Sequence, residues 1–301
     1  MKNKLVAARA GLVLVLATAC PAIATAAEGG NTQYGLGSSQ FYSGAIPPFP
    51  GVYALSVTGY YFANQLNDGN GHKLPLDFSV KVSSQTVRLL GVTNTKFLGG
   101  TVWGQLVIPV VLNLDVDLGP LGDSRGGLSD IIVSGGLVWH DGPSTYIVGV
   151  DTALPTGSWH AGRLANPGLN HYSTQPTFGY GYVDHVNPTW EVAASLRYIV
   201  NFENPATNYT SGNELVLDYA AGYHFGPTRL GVVGYYLNQI TDDKGRGVGS
   251  NGNRGRGFAI GPAVTYDFLP MTQLSVSYQK EVVAENRPKG GNIMMHLSFK
   301  F

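Results

Sequence analysis

The chain has 301 residues, with 41 Gly, 17 Pro, one Cys and only 13% charged residues, 19 basic side chains balancing 19 acidic ones. A formal charge of zero argues against nucleic-acid binding, which needs a basic surface. A hydrophobic content of 44% with 17 Tyr excludes a disordered chain. Past the N-terminus no apolar run approaches the roughly 18 residues of a membrane helix.

At the N-terminus Lys2, Lys4 and Arg9 precede an apolar stretch from Ala10 to Ala19, and Ala24-Thr25-Ala26 offers small residues at a cleavage site. This order reads as a secretory signal peptide over residues 1–26. The rival reading is a lipoprotein signal with Cys20 lipidated, but Ala17 and Pro21 are unusual residues around such a cysteine. Cleavage after Ala26 leaves no cysteine, so disulfides and thiol chemistry are not expected. It also sets the formal charge at −3, from 16 basic and 19 acidic residues. Residues 27–50, with Gly35, Gly37, Gly44 and Pro47-Pro48, read either as a periplasmic tail or as a segment inside a lumen.

From residue 51 onward the hydrophobic period is two. Trp190, Val192, Ala194, Leu196, Tyr198 and Val200 alternate with a face that includes Glu191, Ser195, Arg197 and Asn201. Leu215, Leu217, Tyr219, Ala221, Tyr223 and Phe225 alternate with Glu214, Asp218, Ala220, Gly222 and His224. The pattern recurs over Phe258 to Phe268, Gln273 to Gln279 and Ile293 to Phe301. A helix would scatter these residues around its axis, whereas a strand puts them on one face. Twelve such segments are predicted: 51–64, 77–93, 101–114, 127–138, 144–154, 171–183, 189–201, 213–225, 228–240, 256–269, 272–284 and 291–301. Their number is even, and nearly all reach the 9–11 residues that a tilted strand needs to cross a bilayer.

The connections form a second pattern. Those after even strands are mostly short, as at His140 to Pro143, Asp184 to Pro188, Gly226-Pro227 and Pro270-Met271, with Asn94 to Gly100 the longest. Those after odd strands are mostly longer and polar, as at Leu66 to Pro75, Gly157 to Asn170, Phe202 to Gly212 and Thr241 to Gly255. Short periplasmic turns and longer surface loops are the asymmetry of an outer-membrane barrel. Tyr60, Tyr61, Phe62, Trp139, Tyr182, Trp190, Phe225 and Phe268 lie near strand ends, where interfacial girdles sit. Aromatics also favour strands in general. Phe301, an outward aromatic at the terminus, resembles the signal read by the barrel-assembly machinery. The expected fold is all-β: a transmembrane antiparallel up-and-down β-barrel of about 12 strands over residues 51–301, after an N-terminal signal peptide, in the cell outer membrane. Pro109, Pro176 and Pro262 fall inside predicted strands, where β-bulges are the expected accommodation.

No catalytic motif emerges. Gly-x-Ser-x-Gly, His-Glu-x-x-His and a Walker-type glycine loop are lacking, and Gly245-x-Gly247-x-Gly249 falls in a loop. The seven His are dispersed, without metal-ligand spacing, so neither a metal nor a cofactor is expected. His296 and Ser298 share the inward face of the last strand, whereas barrel lipases place such a pair toward lipid. In a barrel the inward residues govern passage. The expected inward set is Asp151, Glu191, Arg197, Glu214, Asp218, His224 and Asp267, whose mixed signs predict braces across a narrow lumen. Lys244, Arg246, Arg254 and Arg256, in a loop with Asp242 and Asp243, could meet lipopolysaccharide or simply be solvated.

Several segments resemble the meta-pathway phenol-degradation family of Gram-negative outer-membrane proteins. They are Pro50-Gly51-Val52-Tyr53, Leu154-Pro155-Thr156-Gly157, Trp190-Glu191, Tyr198 to Tyr209 with Asn201 and Asn204, Ser211-Gly212-Asn213-Glu214, Gly231 to Asp243 and Arg254 to Pro262. The resemblance implies a channel or transporter for small, hydrophobic or aromatic solutes, with no catalytic residue to carry over. The alternatives are a non-conducting structural or adhesive barrel and a barrel-embedded lipid-modifying enzyme. Oligomeric state is left open.

Overall fold

A computed structural model describes residues 27–184 and 189–301; the expected signal peptide lies outside the described residues, as does most of the turn predicted at Asp184 to Pro188. Among the described residues the strands are β1 (Gly51–Leu66), β2 (Phe78–Phe97), β3 (Gly100–Leu118), β4 (Leu121–Leu128), β5 (Ile131–Asp141), β6 (Ser144–Leu154), β7 (Ser173–Val183), β8 (Trp190–Asn201), β9 (Glu214–Phe225), β10 (Thr228–Gln239), β11 (Arg256–Leu269), β12 (Thr272–Glu285) and β13 (Pro288–Lys300). Every pairing is antiparallel, and β1 pairs with β13 from Tyr53↔Lys300 to Tyr60↔Ile293, closing the sheet. The first half of β3 pairs with β5 and its second half with β4. β4 and β5 therefore form one stave, broken at Ser129-Asp130, and the closed barrel has twelve staves. Closure pairs the staves on both sides within the barrel, and among the described strands β4 keeps a free edge, pairing with β3 alone where that hairpin runs on past the end of β6.

The period-two pattern orients the wall as predicted. In β6, Thr145, Ile147, Asp151 and Ala153 are buried while Tyr146, Val148 and Val150 are exposed. The exposed apolar set continues around the outside with Leu196, Leu230, Val264, Val276, Ile293 and Met295. Aromatics collect on the outside near the short-turn rim, where Trp190 meets Tyr223 edge-on at 5.0 Å and Phe299 meets Phe301 at 5.2 Å. Tyr60 and Phe62 face outward at the other end, 5.8 Å apart. Tyr61, between them, departs from the girdle expectation: its side chain points inward and donates to Glu281 Oε2 at 2.9 Å.

Local sequence explains most connections. β2 runs on to Phe97, and Leu98 and Gly99 turn back with φ of 48° and 78°, both in the left-handed region of a type I′ hairpin. The expected Asn94–Gly100 connection is therefore a two-residue turn. β3 and β4 extend as a hairpin beyond the predicted strand ends, closing at Gly119-Pro120.

The prolines are accommodated differently from expectation. Pro109 lies opposite the β4–β5 break, where no ladder donor is required; the nearest bulge is at Leu112. Pro176 and Pro262 stay in unshifted register, and pairing simply lapses beside each on one side, with β8 and β12 respectively. One absent donor is absorbed without an extra residue.

Residues 27–50 run along the inner wall and contain two 3-10 turns, Glu28–Gly30 and Gln40–Gly44. At the long-loop rim the Glu28 amide donates to Ser211 Oγ at 3.0 Å, and Asn204 Nδ2 donates to Glu28 Oε2 at 2.8 Å. At the short-turn rim His140 Nε2 donates to the Ile46 carbonyl at 2.8 Å. The segment thus threads the lumen from one rim to the other before β1 begins.

Candidate functional site

The inner segment is held against one side of the barrel, β6 to β13. Asp218 of β9 is its anchor: the carboxylate accepts from Tyr34 Oη at 2.5 Å, the Ser39 amide at 3.0 Å and the Gly37 amide at 3.1 Å. Burial pushes the Tyr34 phenol up to about 12, with the Asp218 charge adding to the rise and Arg197 opposing it, so the phenol remains a neutral donor. Arg197 of β8 lies 4.0 Å over the Tyr34 ring and donates to Asp151 Oδ2 at 3.0 Å. Thr32 donates to Glu214 at 2.7 Å; Gln279 and His296 bond the Gly37 and Ser38 carbonyls, each at 2.9 Å.

Glycines on β7, β9 and β10 make room for it. A Cβ at Gly222 would lie 2.9 Å from Phe41 Cζ, and one at Gly181 would lie 2.6 Å from the Gly44 carbonyl oxygen. Phe41 fills this hollow with the Arg229 guanidinium 3.9 Å over its ring. Part of the chain's high glycine content is thus the seat of its own N-terminal segment.

The candidates for the inward face fall into separate groups. Asp151, Arg197 and Asp218 meet around Tyr34. Glu191 accepts from His224 Nε2 at 2.9 Å and from Arg229, forming a brace near the short-turn rim. Glu214 stands apart on Thr32, and Asp267, half-buried, joins neither group. Of the loop cations, Arg254 pairs with Asp242 at 2.6 Å and Arg256 with Glu285.

On the opposite side, β1 to β3, the segment stands off the wall and leaves a cavity of about 320 Å3. Its lining includes Val57, Tyr61, Val82, Arg88, Gln105, Val107 and Met294 from the wall and Tyr34 and Leu36 from the inner segment. A polar cluster borders it: Glu281 accepts from Tyr61, Tyr235 and the Gly290 amide, with Arg287 Nη2 at 4.0 Å. Apolar clusters flank it at both ends. Leu66, Phe78, Val80, Leu114 and Ala165 lie toward the long loops. Ile46, Tyr53, Val92, Trp103, Val138 and Ile147 lie toward the short turns.

Arg88, Gln105, Tyr61, Tyr235, Glu281 and Arg287 were not in the predicted set. Glu281 continues the inward parity of Ser275, Ser277 and Gln279 and was legible from it. The opposed sides of Tyr60 and Tyr61 follow from the same alternation. His296 is fully buried against Ser38 and stacks on Tyr42 at 5.6 Å, while Ser298 Oγ accepts from Tyr42 at 3.3 Å. Both side chains therefore engage the inner segment. Among the described residues no group of three or more side chains could hold a metal ion.

The family model described as "Putative MetA-pathway of phenol degradation" matches residues 63–297, and the chain belongs to that family. No curated protein matches the chain. An outer membrane channel from Pseudomonas putida F1 is similar in structure, with a TM-score of 0.73 at 17% identity, covering 86% of this chain and 98% of that one. The β-domain of the Bordetella autotransporter BrkA has a TM-score of 0.51 at 12% identity, covering 84% of this chain and 99% of that one. The fold is the one used by outer-membrane barrels.

Proposed function

We propose that the protein is an outer-membrane barrel that passes small hydrophobic or aromatic compounds through the space between its inner segment and the β1–β3 wall. The observation that carries this reading is the cavity, whose lining combines tyrosine rings and aliphatic side chains with a few charged groups and which is flanked at each end by an apolar cluster. An apolar solute loses little on entering such layers, whereas a hydrated ion loses its water. The exposed apolar outer face supports a lipid environment, with the aromatic rims at its two surfaces. Export through a cleaved signal peptide, recognition of Phe301 by the assembly machinery and contact of the long loops with lipopolysaccharide complete the proposal. The family's name and the channel likeness from Pseudomonas putida F1 agree with it.

Planar-bilayer recording and liposome flux of folded protein test the reading. Small conductance steps, with phenol flux faster than that of a sugar of similar size, are expected. Neither current nor flux would overturn it. That outcome would favour a non-conducting structural barrel, the reading supported by the many hydrogen bonds that hold the inner segment.

A further inference from the structure

We infer that the cavity holds a binding site for an aromatic monocarboxylate, with Arg88 as the group that recognises the carboxylate; this rests on the passage reading above and names its substrate class. Three features of the cavity converge. First, Arg88 reaches the cavity from β2, and among the described residues its hydrogen-bond partner is neutral: Gln105 Oε1 accepts from Nε at 3.2 Å and from Nη2 at 2.8 Å. Of the two carboxylates in the same lining, Asp151 is already bound to Arg197 at 3.0 Å, and Glu281 accepts from Tyr61, Tyr235 and the Gly290 amide.

Second, the cavity carries an excess of positive charge. Its charged lining comprises Arg88, Arg197 and Arg287 against Asp151 and Glu281, three minus two, or one net positive charge. Arg197 Nη1 is buried without a hydrogen-bond partner, so a second guanidinium also has an N–H to offer. A guanidinium presents paired donors in a plane that matches the two oxygens of a carboxylate.

Third, the lining offers an apolar and aromatic surface, Val57, Val82, Val107 and Met294 with the tyrosine rings, interspersed with uncharged polar side chains such as Thr86, Gln105 and Asn292. A volume of about 320 Å3 falls at the lower end of small-ligand pockets. A hydrated inorganic anion would leave that surface unused, and a neutral arene would leave the guanidinium unanswered. A benzoate-like ligand satisfies both.

Calorimetric titration of the folded protein with benzoate, phenol and benzylammonium tests this, on wild type, Arg88→Gln and Arg88→Lys. Heat-modifiable migration on gels identifies folded barrels. Benzoate is expected to bind wild type about tenfold or more tightly than phenol or benzylammonium, a ratio that one charge-assisted hydrogen bond supplies. Arg88→Gln should remove that preference, and Arg88→Lys should retain part of it. Equal binding of benzoate and phenol to wild type overturns the site even if the Gln variant fails to fold, as does unchanged benzoate affinity in Arg88→Gln. Current or phenol flux without an Arg88-dependent preference would sink the site and leave the passage reading intact. Arg88-dependent benzoate binding without current or flux would do the reverse.

Discussion

The two sides of the barrel interior are built differently. Where β7 to β10 face the inner segment, the wall is lined by small residues such as Gly181, Ala193, Ser195, Ala220 and Gly222, and its charged side chains are answered by the segment or by one another. Where β1 to β3 face the cavity, larger side chains, Val57, Tyr61, Val82, Arg88 and Gln105, stand among small ones such as Gly59 and Ser84. Small residues appear where another backbone presses close, and large ones where side chains must fill the space themselves. One side grips; the other leaves the room through which a solute could move.

Removing the grip gives the largest expected effect. Deleting residues 27–45 should raise single-channel conductance by on the order of tenfold, since a twelve-stave barrel emptied of its segment has a continuous lumen. Conductance no larger than wild type would mean that the segment is not the obstruction. Next comes Phe41→Ala, which empties the hollow beside Gly222 and removes the ring under Arg229. It should weaken seating of the segment by about 3–5 kcal/mol, seen as frequent large openings. Asp218→Asn keeps the shape but removes the charge that accepts three hydrogen bonds. A cost of about 2–3 kcal/mol is expected, with briefer openings of the same size.

The smallest effect is one of pH. The Tyr34 phenol is raised by burial, so its contribution to seating is fully present below its ordinary value near 10 and is lost as pH climbs through about 12. Alkaline recordings should show rising open probability over that window, and Tyr34→Phe should lack the rise. A wild-type protein insensitive to pH there would remove Tyr34 from the grip.

How much of this contrast the chain discloses depends on contrast along each strand. The gripping side was legible in β8 and β9, because their outward faces are uniformly apolar and Glu191, Arg197, Glu214 and Asp218 stand out against them. Arg88 did not stand out, because the opposite face of β2 is itself polar over Lys81, Ser83 and Gln85. Near the end of β12 a bulge at Val282 flips the alternation, which hides the place of Arg287 beyond it. The inner segment was the least legible: its partners lie far along the chain, 94 residues away for Ile46 and His140 and 184 for Tyr34 and Asp218, and no local periodicity announces contacts of that range.

Cysteine accessibility tests the central claim, that the open path follows the β1–β3 side. Ser84 lines the cavity, while Ser195 is buried beneath Ser43 of the inner segment. In a bilayer, a water-soluble methanethiosulfonate reagent should modify Ser84→Cys quickly and reduce the current, and should leave Ser195→Cys unmodified. Equal reaction at the two positions, or faster reaction at Ser195→Cys, would contradict the account.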